Sequence, residues 1–418
     1  MTTATQAVRP SCPPAGGGGG PTGRLVSLDA LRGFTMFWIL GGDGVVHALA
    51  RWIDVAPLRF LASQVDHAAW AGFRFYDLIF PMFVFITGVS LVFSLQKTIE
   101  REGRAAAVRH ILVRTVVLFL LGVLYNGGLT RPWPDVRLVG VLQRIALAYG
   151  VAALLSVYLS TRGRAVATLV LLGAYWAVLT FVPIRDIALD REAIAARLGT
   201  ERPAAADVQA LYEATTARVT GRYEPGLNVT NHLDYLALPG GKYDVYWDPE
   251  GLLSTFPAIA TCLLGVLAGT WLRRRDVDHV RRLRLLAMTG VACLLLGYLW
   301  GLQFPVVKKI WTSSFVLVAG GWSLLFLAAF GWLIDRRGVL GWCTPFVWIG
   351  MNPITLYLAT ALVDFGRIAR MLAGGSVARG LDAALGAGAA GFVHAELVLL
   401  MLLALARFLH RRGIYLKV

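Results

Sequence analysis

Charged residues are scarce in this 418-residue chain: Asp, Glu, Lys and Arg make up 16% of it, where soluble domains carry about 25%. With 57% of residues hydrophobic, two or three soluble domains of this length could not cover their surfaces. Cysteine is sparse too. Cys12, Cys262, Cys293 and Cys343 form no C-x-x-C pair and no Cys/His metal spacing, which argues against a disulfide-stapled domain and a metal module. No internal repeat is visible, a poor match to transporters built from repeated halves. The glycine run at residues 16–20 has no strand before it and no Lys-Ser/Thr pair after it, so it does not read as a phosphate-cradling loop. No small-residue cleavage pattern follows the first apolar segment, so a removable signal peptide is not expected.

What is abundant is apolar sequence in helix-length runs. About 20 such residues cross a hydrocarbon core of roughly 30 Å. Ten stretches qualify: approximately 30–50, 77–96, 109–126, 138–160, 165–183, 252–272, 283–302, 311–334, 343–364 and 391–410. The Gly-rich stretch 371–390 leaves room for a short eleventh. The runs are too long for barrel strands. The expectation is an all-α, polytopic membrane helical bundle of about ten transmembrane helices, or eleven if 371–390 holds one. Residues 1–23 read as a disordered Pro/Gly-rich leader, 24–183 as helices one to five, 184–250 as an extracytoplasmic loop and 251–418 as helices six to ten.

The net charge of +15 is explained by where the basic residues fall. One set of short loops holds nineteen Arg and Lys, including Lys97, Arg101, Arg104, Arg109 and the run from Arg273 to Arg284; the other set holds ten. Positive loops stay inside. Both termini are therefore expected in the cytoplasm, and the basic balance reads as a topology signal with no nucleic-acid partner.

Ionisable groups in or beside a span cost about 2.5–3.5 kcal/mol on insertion scales, so each needs a reason. If a helix begins near Asp66, then His67, Trp70, Arg74 and Asp77 fall on one face. That stripe reads as an active-site face, with a satisfied interfacial histidine as the bland alternative and an N-cap as the plain reading of Asp66. Asp43, at the outer end of the first span, sits at about the depth of His67 and could fix its tautomer. Asp29 and Arg32 at the inner start form either an i, i+3 pair or an anion site. Gln143 and Arg144 lie well into the fourth span, and Arg114 opens the third. Trp247-Asp248-Pro249-Glu250 looks first like helix-start chemistry, leaving Glu250 to face an outer pocket. Lys308 and Ser313 flank the start of the eighth span, and Asn352-Pro353 kinks the ninth.

These stretches carry a resemblance. SLDALRGF at 27–34, HAAWAGFRFYDLIFPMFVFITGVS at 67–90, RLVGVLQRIALAY at 137–149, YWDPEGLLST at 246–255, KKIWTSSFVL at 308–317 and GMNPITLY at 350–357 follow one another in order. Together they resemble the transmembrane acyltransferases typified by lysosomal heparan-α-glucosaminide N-acetyltransferase and its bacterial relatives. The resemblance implies acyl transfer across a membrane, from cytosolic acetyl-CoA (or another acyl-CoA) as co-substrate to the amine of an amino sugar on the far side, with no metal. It puts the catalytic histidine at His67 and its polar partner at Asp43, where the eukaryotic enzyme is expected to carry an amide. The leading LDxxRG is also similar to the broader acyltransferase-3 group, which places a histidine eleven residues after the Arg; here that position is Asp43.

On this reading His67 acts as general base or as transient acyl carrier, the former preferred, and Asp43 and Asp77 orient it. Arg32, Arg114, Arg144, Gln143, Ser313 and Asn352 are expected at the acyl-CoA; Lys308, Ser313 and Asn352 could polarise the thioester carbonyl. Asp248, Glu250, Trp70 and Lys308 are expected at the acceptor. A homodimer in a bacterial inner membrane completes the expectation, and a multi-pass transporter or flippase is the alternative class.

Overall fold

The computed structural model describes residues 25–130 and 132–416. The leader 1–23 with Cys12, and Arg9, Arg24, Arg131 and Lys417 from the charge count, lie outside the described residues. The first apolar stretch folds as α1 (Val26–Phe37), a π-helical turn (Trp38–Gly42) and α2 (Asp43–Trp52), with a short α3 (Ala56–Gln64) after it. Then come α4 (Phe75–Tyr125), α5 (Val141–Tyr158) and α6 (Thr161–Phe181). A segment outside the bundle follows, with β1 (Ile184–Arg185), α7 (Arg191–Leu198), α8 (Ala205–Ala214), β2 (Arg218–Val219) and α9 (Val229–Ala237). The chain re-enters with α10 (Thr255–Leu272), α11 (His279–Gly301), α12 (Ser313–Phe330), α13 (Thr344–Met351) and α14 (Pro353–Leu362). It ends with α15 (Phe365–Ala373), α16 (Gly375–Leu385) and α17 (Ala389–Arg411).

Among the described residues, eight helical stretches are long and apolar enough to cross a membrane, and α13 with α14, bent by 76°, makes a ninth as a broken span. The 51-residue α4 is two helical limbs. Straight, it would reach about 75 Å, more than twice the roughly 30 Å core, but Gly103 (φ 83°) breaks it. Leu91 and Leu95 before the break pack with Ala107 and Ile111 after it, so the limbs form a hairpin. With the two limbs of α4 counted separately, ten helical stretches among the described residues are candidates to cross, the number of apolar runs in the sequence. The stretch 371–390 adds none: α15 and α16 have 9 and 11 residues, about 14 and 17 Å of helix, and neither can span.

The core joins α1, α4, α5, α10 and α12 through residues such as Leu31, Phe85, Ala148, Leu263 and Phe315. Lipid tails offer no hydrophobic drive between helices, so close backbone approach matters. Gly88 of α4 and Gly265 of α10 supply it reciprocally: a Cβ on either would run into a carbonyl of the other helix, Cys262 or Phe85. The outer helices α6 and α11 leave most of their apolar surface uncovered, as lipid-facing helices should.

The face of the bundle that carries residues 184–250 is called the loop face below. There β1 and β2 pair antiparallel, Ile184 opposite Val219. Asp190 caps α7 by accepting from the Glu192 and Ala193 amides, and the Asn228 side chain caps α9. A small core of Ile187, Leu189, Ile194, Val208, Tyr212 and Trp247 closes the segment, and Trp70 packs against it from the bundle.

Candidate active site

The stripe expected from Asp66 onward does not form. Helix α4 begins only at Phe75, and residues 65–74 are irregular. Asp77 explains the late start. It is the third residue of α4, and its Oδ2 accepts from the N-cap amide of Arg74 and from the Ala68 amide, both at 3.1 Å. Gly72 (φ 122°) reverses the chain, and its amide donates to Val306 O at 2.9 Å, tying the segment to the α11–α12 turn. His67 and Asp77 therefore meet through a folded-back turn, and Asp66 caps no helix.

In that turn His67 Nδ1 lies 2.9 Å from Asp77 Oδ1. Asp77 is fully buried, while half of the His67 side chain is exposed. An ionised carboxylate only accepts, so the pairing with Asp77 favours the proton on Nδ1 and leaves Nε2 as the accepting nitrogen. Lys308 Nζ lies 2.9 Å from Nδ1, 3.3 Å from Nε2 and 3.5 Å from Asp77 Oδ1. The in-plane directions at the two ring nitrogens diverge, so a single amine this close to both lies against the ring. Burial pulls the Lys308 ammonium down to about 8, although Asp77 and Glu250 hold it up.

Two supports flank this group. The π-helical turn before α2 contains Gly41 (φ 126°), and such bulges recur at functional sites. It aims α2 so that Asp43 Oδ2 accepts from the Tyr76 hydroxyl at 3.0 Å, while the Tyr76 ring leans on the His67 ring at 4.9 Å. Asp43 thus reaches His67 through Tyr76. One turn along α2, His47 pairs with Asp66 at 3.2 Å. The other support is Trp311, whose φ of 53° is rare for a bulky residue and stores about 1–3 kcal/mol. The strained turn carries Lys308.

Beside the cluster lies a carboxylate clamp. Arg137 grips Asp248 with two bonds of 2.8 Å and Glu250 with another. Against the pull of burial, the two carboxylates hold the guanidinium above its ordinary value. Asp248 is fully buried and also accepts from the Tyr243 and Glu250 amides, so it builds the loop and has no face left for an acceptor. Glu250 is less buried, and burial pushes its carboxyl up. Buried Asp234 sets the clamp from below: it accepts from Leu252 N at 2.9 Å and Asp248 N at 3.4 Å, and burial pushes it up to about 7.

The remaining expected residues are scattered. Arg32 takes the bland alternative, bonding to Asp29 at 3.0 Å, Gly350 O at 3.2 Å and Ser90 at 2.5 Å. Ser313 donates to Leu172 O, and Asn352 donates to Ile414 O and accepts from Leu416 N, so neither is brought to His67. Trp70 donates to Tyr223 O at 2.7 Å and meets Trp247 edge-on, which makes it a pin between bundle and loop segment. Arg144 is buried with its guanidinium 4.9 Å over Trp311 and one nitrogen on Ser254. Its Nε and Nη1, and the neighbouring Gln143 Nε2, meet no acceptor among the described residues. Arg114 stacks at 4.6 Å on Tyr149 and buries an Nε that meets no acceptor among the described residues. It lines a cavity of about 580 Å³ with Ser94, Thr98, Arg109, His110 and Tyr149, between the limbs of α4 and α5, in the half away from the loop face.

Arg137, Tyr76, Asp234 and His47 were not among the expected site residues. Arg137 begins the block RLVGVLQR and was visible only as a loop charge; Asp234 and His47 sit in no motif.

The fold and this cluster define a multi-pass helical membrane protein with an imidazole, a buried carboxylate and an amine gathered at one mouth. Comparison narrows the class. Residues 24–197 match the family model described as heparan-alpha-glucosaminide N-acetyltransferase, catalytic. The heparan-alpha-glucosaminide N-acetyltransferase of Mus musculus is 26% identical over 335 residues, 71% of this chain and 49% of the mouse protein. That of Homo sapiens is 28% identical over 330 residues, 70% of this chain and 48% of the human protein. The chain thus spans about half the length of the curated relatives it matches, and its similarity to them runs with the family model over residues 24–197.

Proposed function

We propose that this protein is a membrane-embedded N-acetyltransferase that moves an acetyl group from acetyl-CoA to the amine of an amino sugar at the loop face. The observation that carries the reading is the His67–Asp77 pair, 2.9 Å apart, with Nε2 open beside Lys308. Oriented by a buried carboxylate, Nε2 serves as general base for the sugar ammonium, a role worth about 10²–10⁴ in rate. Lys308, as a cation against the site, stabilises negative charge developing on the thioester oxygen. Glu250 holds the cationic acceptor.

The donor side is supported by unmet hydrogen-bond donors. The cavity at Arg114 combines a buried, unpartnered Nε with Arg109, His110, Ser94 and Thr98, a set that suits phosphate oxygens. Arg144 and Gln143, also with unmet donors, suit carbonyl groups of the thioester's amide-bearing arm between that cavity and the mouth. The positive-inside count supports a cytoplasmic position for the cavity and both termini, and the excess of Arg over Lys supports the plasma membrane of a GC-rich bacterium. A homodimer rests on the family resemblance alone.

The test is purified full-length protein in lipid nanodiscs with labelled acetyl-CoA and glucosamine. Labelled N-acetylglucosamine formed by the native protein and lost in His67→Ala supports the proposal. Uptake of sugar without acetylation, or full activity in His67→Ala, overturns it.

A further inference from the structure

An enzyme that acylates a primary amine beside His67 already holds a primary amine there. Of the four lysines among the described residues, Lys308 alone sits on the His67–Asp77 pair. Its neighbour Lys309 points elsewhere, 5.8 Å over the Trp70 ring. The Lys308 side chain is 18% exposed, enough to meet a reactant that comes to the half-exposed imidazole. Trp311 fixes the turn behind it at the expense of backbone strain, so the amine is held against the ring.

We propose that Lys308 is a self-acylation site, where the enzyme transfers the acyl group to its own amine when no acceptor occupies the mouth. This rests on the acetyltransferase reading above. In the step, Lys308 Nζ as free amine forms a C–N bond to the thioester carbonyl carbon. The C–S bond breaks, and the thiolate leaves. The proton released from Nζ passes to His67 Nε2, 3.3 Å away, and from there to the thiolate, giving an amide and a free thiol. No further reactant is needed.

The consequence is a silenced site. The amide has no positive charge to face Asp77 and Glu250, and it does not return the acyl group readily. Under ordinary conditions the charge itself protects Lys308, because an ammonium is no nucleophile. The groups that face it are His67, Asp77, Glu250 and Lys309. Their sum with burial brings the free amine within reach near pH 8, which supports the geometry. Sugar acceptors protect in a second way, by taking the acyl group first.

The experiment incubates the full chain in nanodiscs with acetyl-CoA and no acceptor, then maps acetylation on proteolytic peptides by mass spectrometry. One acetyl group is expected on Lys308, with Lys309 and Lys242 at least about tenfold less modified. Labelling of Lys308 should climb about tenfold per pH unit below pH 8 and level off above it. It should fall about tenfold or more in His67→Ala and, in the native protein, as glucosamine is raised; the glucosamine arm stands even if the variant does not fold. Lys308→Arg should abolish the adduct. Glucosamine acetylated with Lys308 unmodified at about pH 9 overturns the inference and leaves the acetyltransferase reading intact. Equal labelling of Lys308, Lys309 and Lys242, insensitive to glucosamine, marks uncatalysed chemistry and also overturns it. If neither sugar nor Lys308 takes the label, the acetyltransferase reading fails and this inference falls with it.

Discussion

Asp77→Asn is the most demanding perturbation of this site, because it keeps shape and changes only charge and hydrogen-bond polarity. Asp77 receives four contacts: His67 Nδ1 at 2.9 Å, the Ala68 and Arg74 amides at 3.1 Å each, and Lys308 at 3.5 Å. All four groups donate, and an ionised carboxylate accepts from all. An amide has one accepting oxygen, and its NH2 would face a donor. If the amide oxygen keeps the two backbone amides, its NH2 turns to Nδ1, which must then accept. The proton moves to Nε2, and the base is lost. The rate should fall by about 10²–10⁴, the full value of a positioned general base. Stability falls less, by about 2 kcal/mol for the hydrogen bonds to charge. The assay is steady-state transfer of labelled acetyl to glucosamine, normalised to the folded fraction from a thermal melt. A folded Asn variant with kcat within about threefold of the native value refutes the argument, since the imidazole would then need no carboxylate to set its tautomer.

Three other perturbations separate the parts of the molecule. Arg137→Ala leaves buried Asp248 and mostly buried Glu250 without their shared cation, so it should destabilise by about 3–5 kcal/mol and raise KM for glucosamine more than KM for acetyl-CoA. Equal effects on both would place the clamp away from the acceptor. Arg114→Ala should raise KM for acetyl-CoA about tenfold, the value of one lost charged hydrogen bond, with KM for glucosamine unchanged; an unchanged acetyl-CoA KM removes the cavity from the donor path. Asp234→Asn tests linkage: the folded carboxyl titrates near 7 against 3.8 ordinarily, so its stabilising effect is present at acid pH and lost as pH rises towards 7. The native thermal midpoint should therefore drop across that window relative to the Asn variant, and parallel curves would show that Asp234 does not titrate there.

The bundle was legible because a hydrocarbon solvent leaves few options. Every backbone polar group must be satisfied within its own segment, so a run of about 20 apolar residues is a helix. The breaks were legible only in part. Asn352-Pro353 announced its kink, since proline removes an amide, and α13 and α14 do diverge there by 76°. The π-helical turn at Trp38–Gly42 gave no such warning. It depends on Gly41 at φ 126°, and glycine occurs throughout this chain. The short helices α15 and α16 could be mistaken for a span because composition does not report where a glycine will end a helix.

The site was harder for a different reason. Spacing assumes a regular element, and His67 lies outside one. A helix from Asp66 would have set His67 and Asp77 ten residues and about 15 Å apart, too far to touch. They meet because Asp77 caps its own helix, accepting from Arg74 and Ala68, and so bends the preceding chain back over itself. The two residues do meet, but not by the geometry that the spacing implied. Lys308 shows the converse: it is 241 residues away from His67 in sequence, and only the Gly72–Val306 and Ala71–Val307 pairing brings its turn to the imidazole. Motif and charge found both groups singly. Their contact depends on a turn held by two backbone pairings and a strained tryptophan, none of which leaves a periodic mark in the sequence.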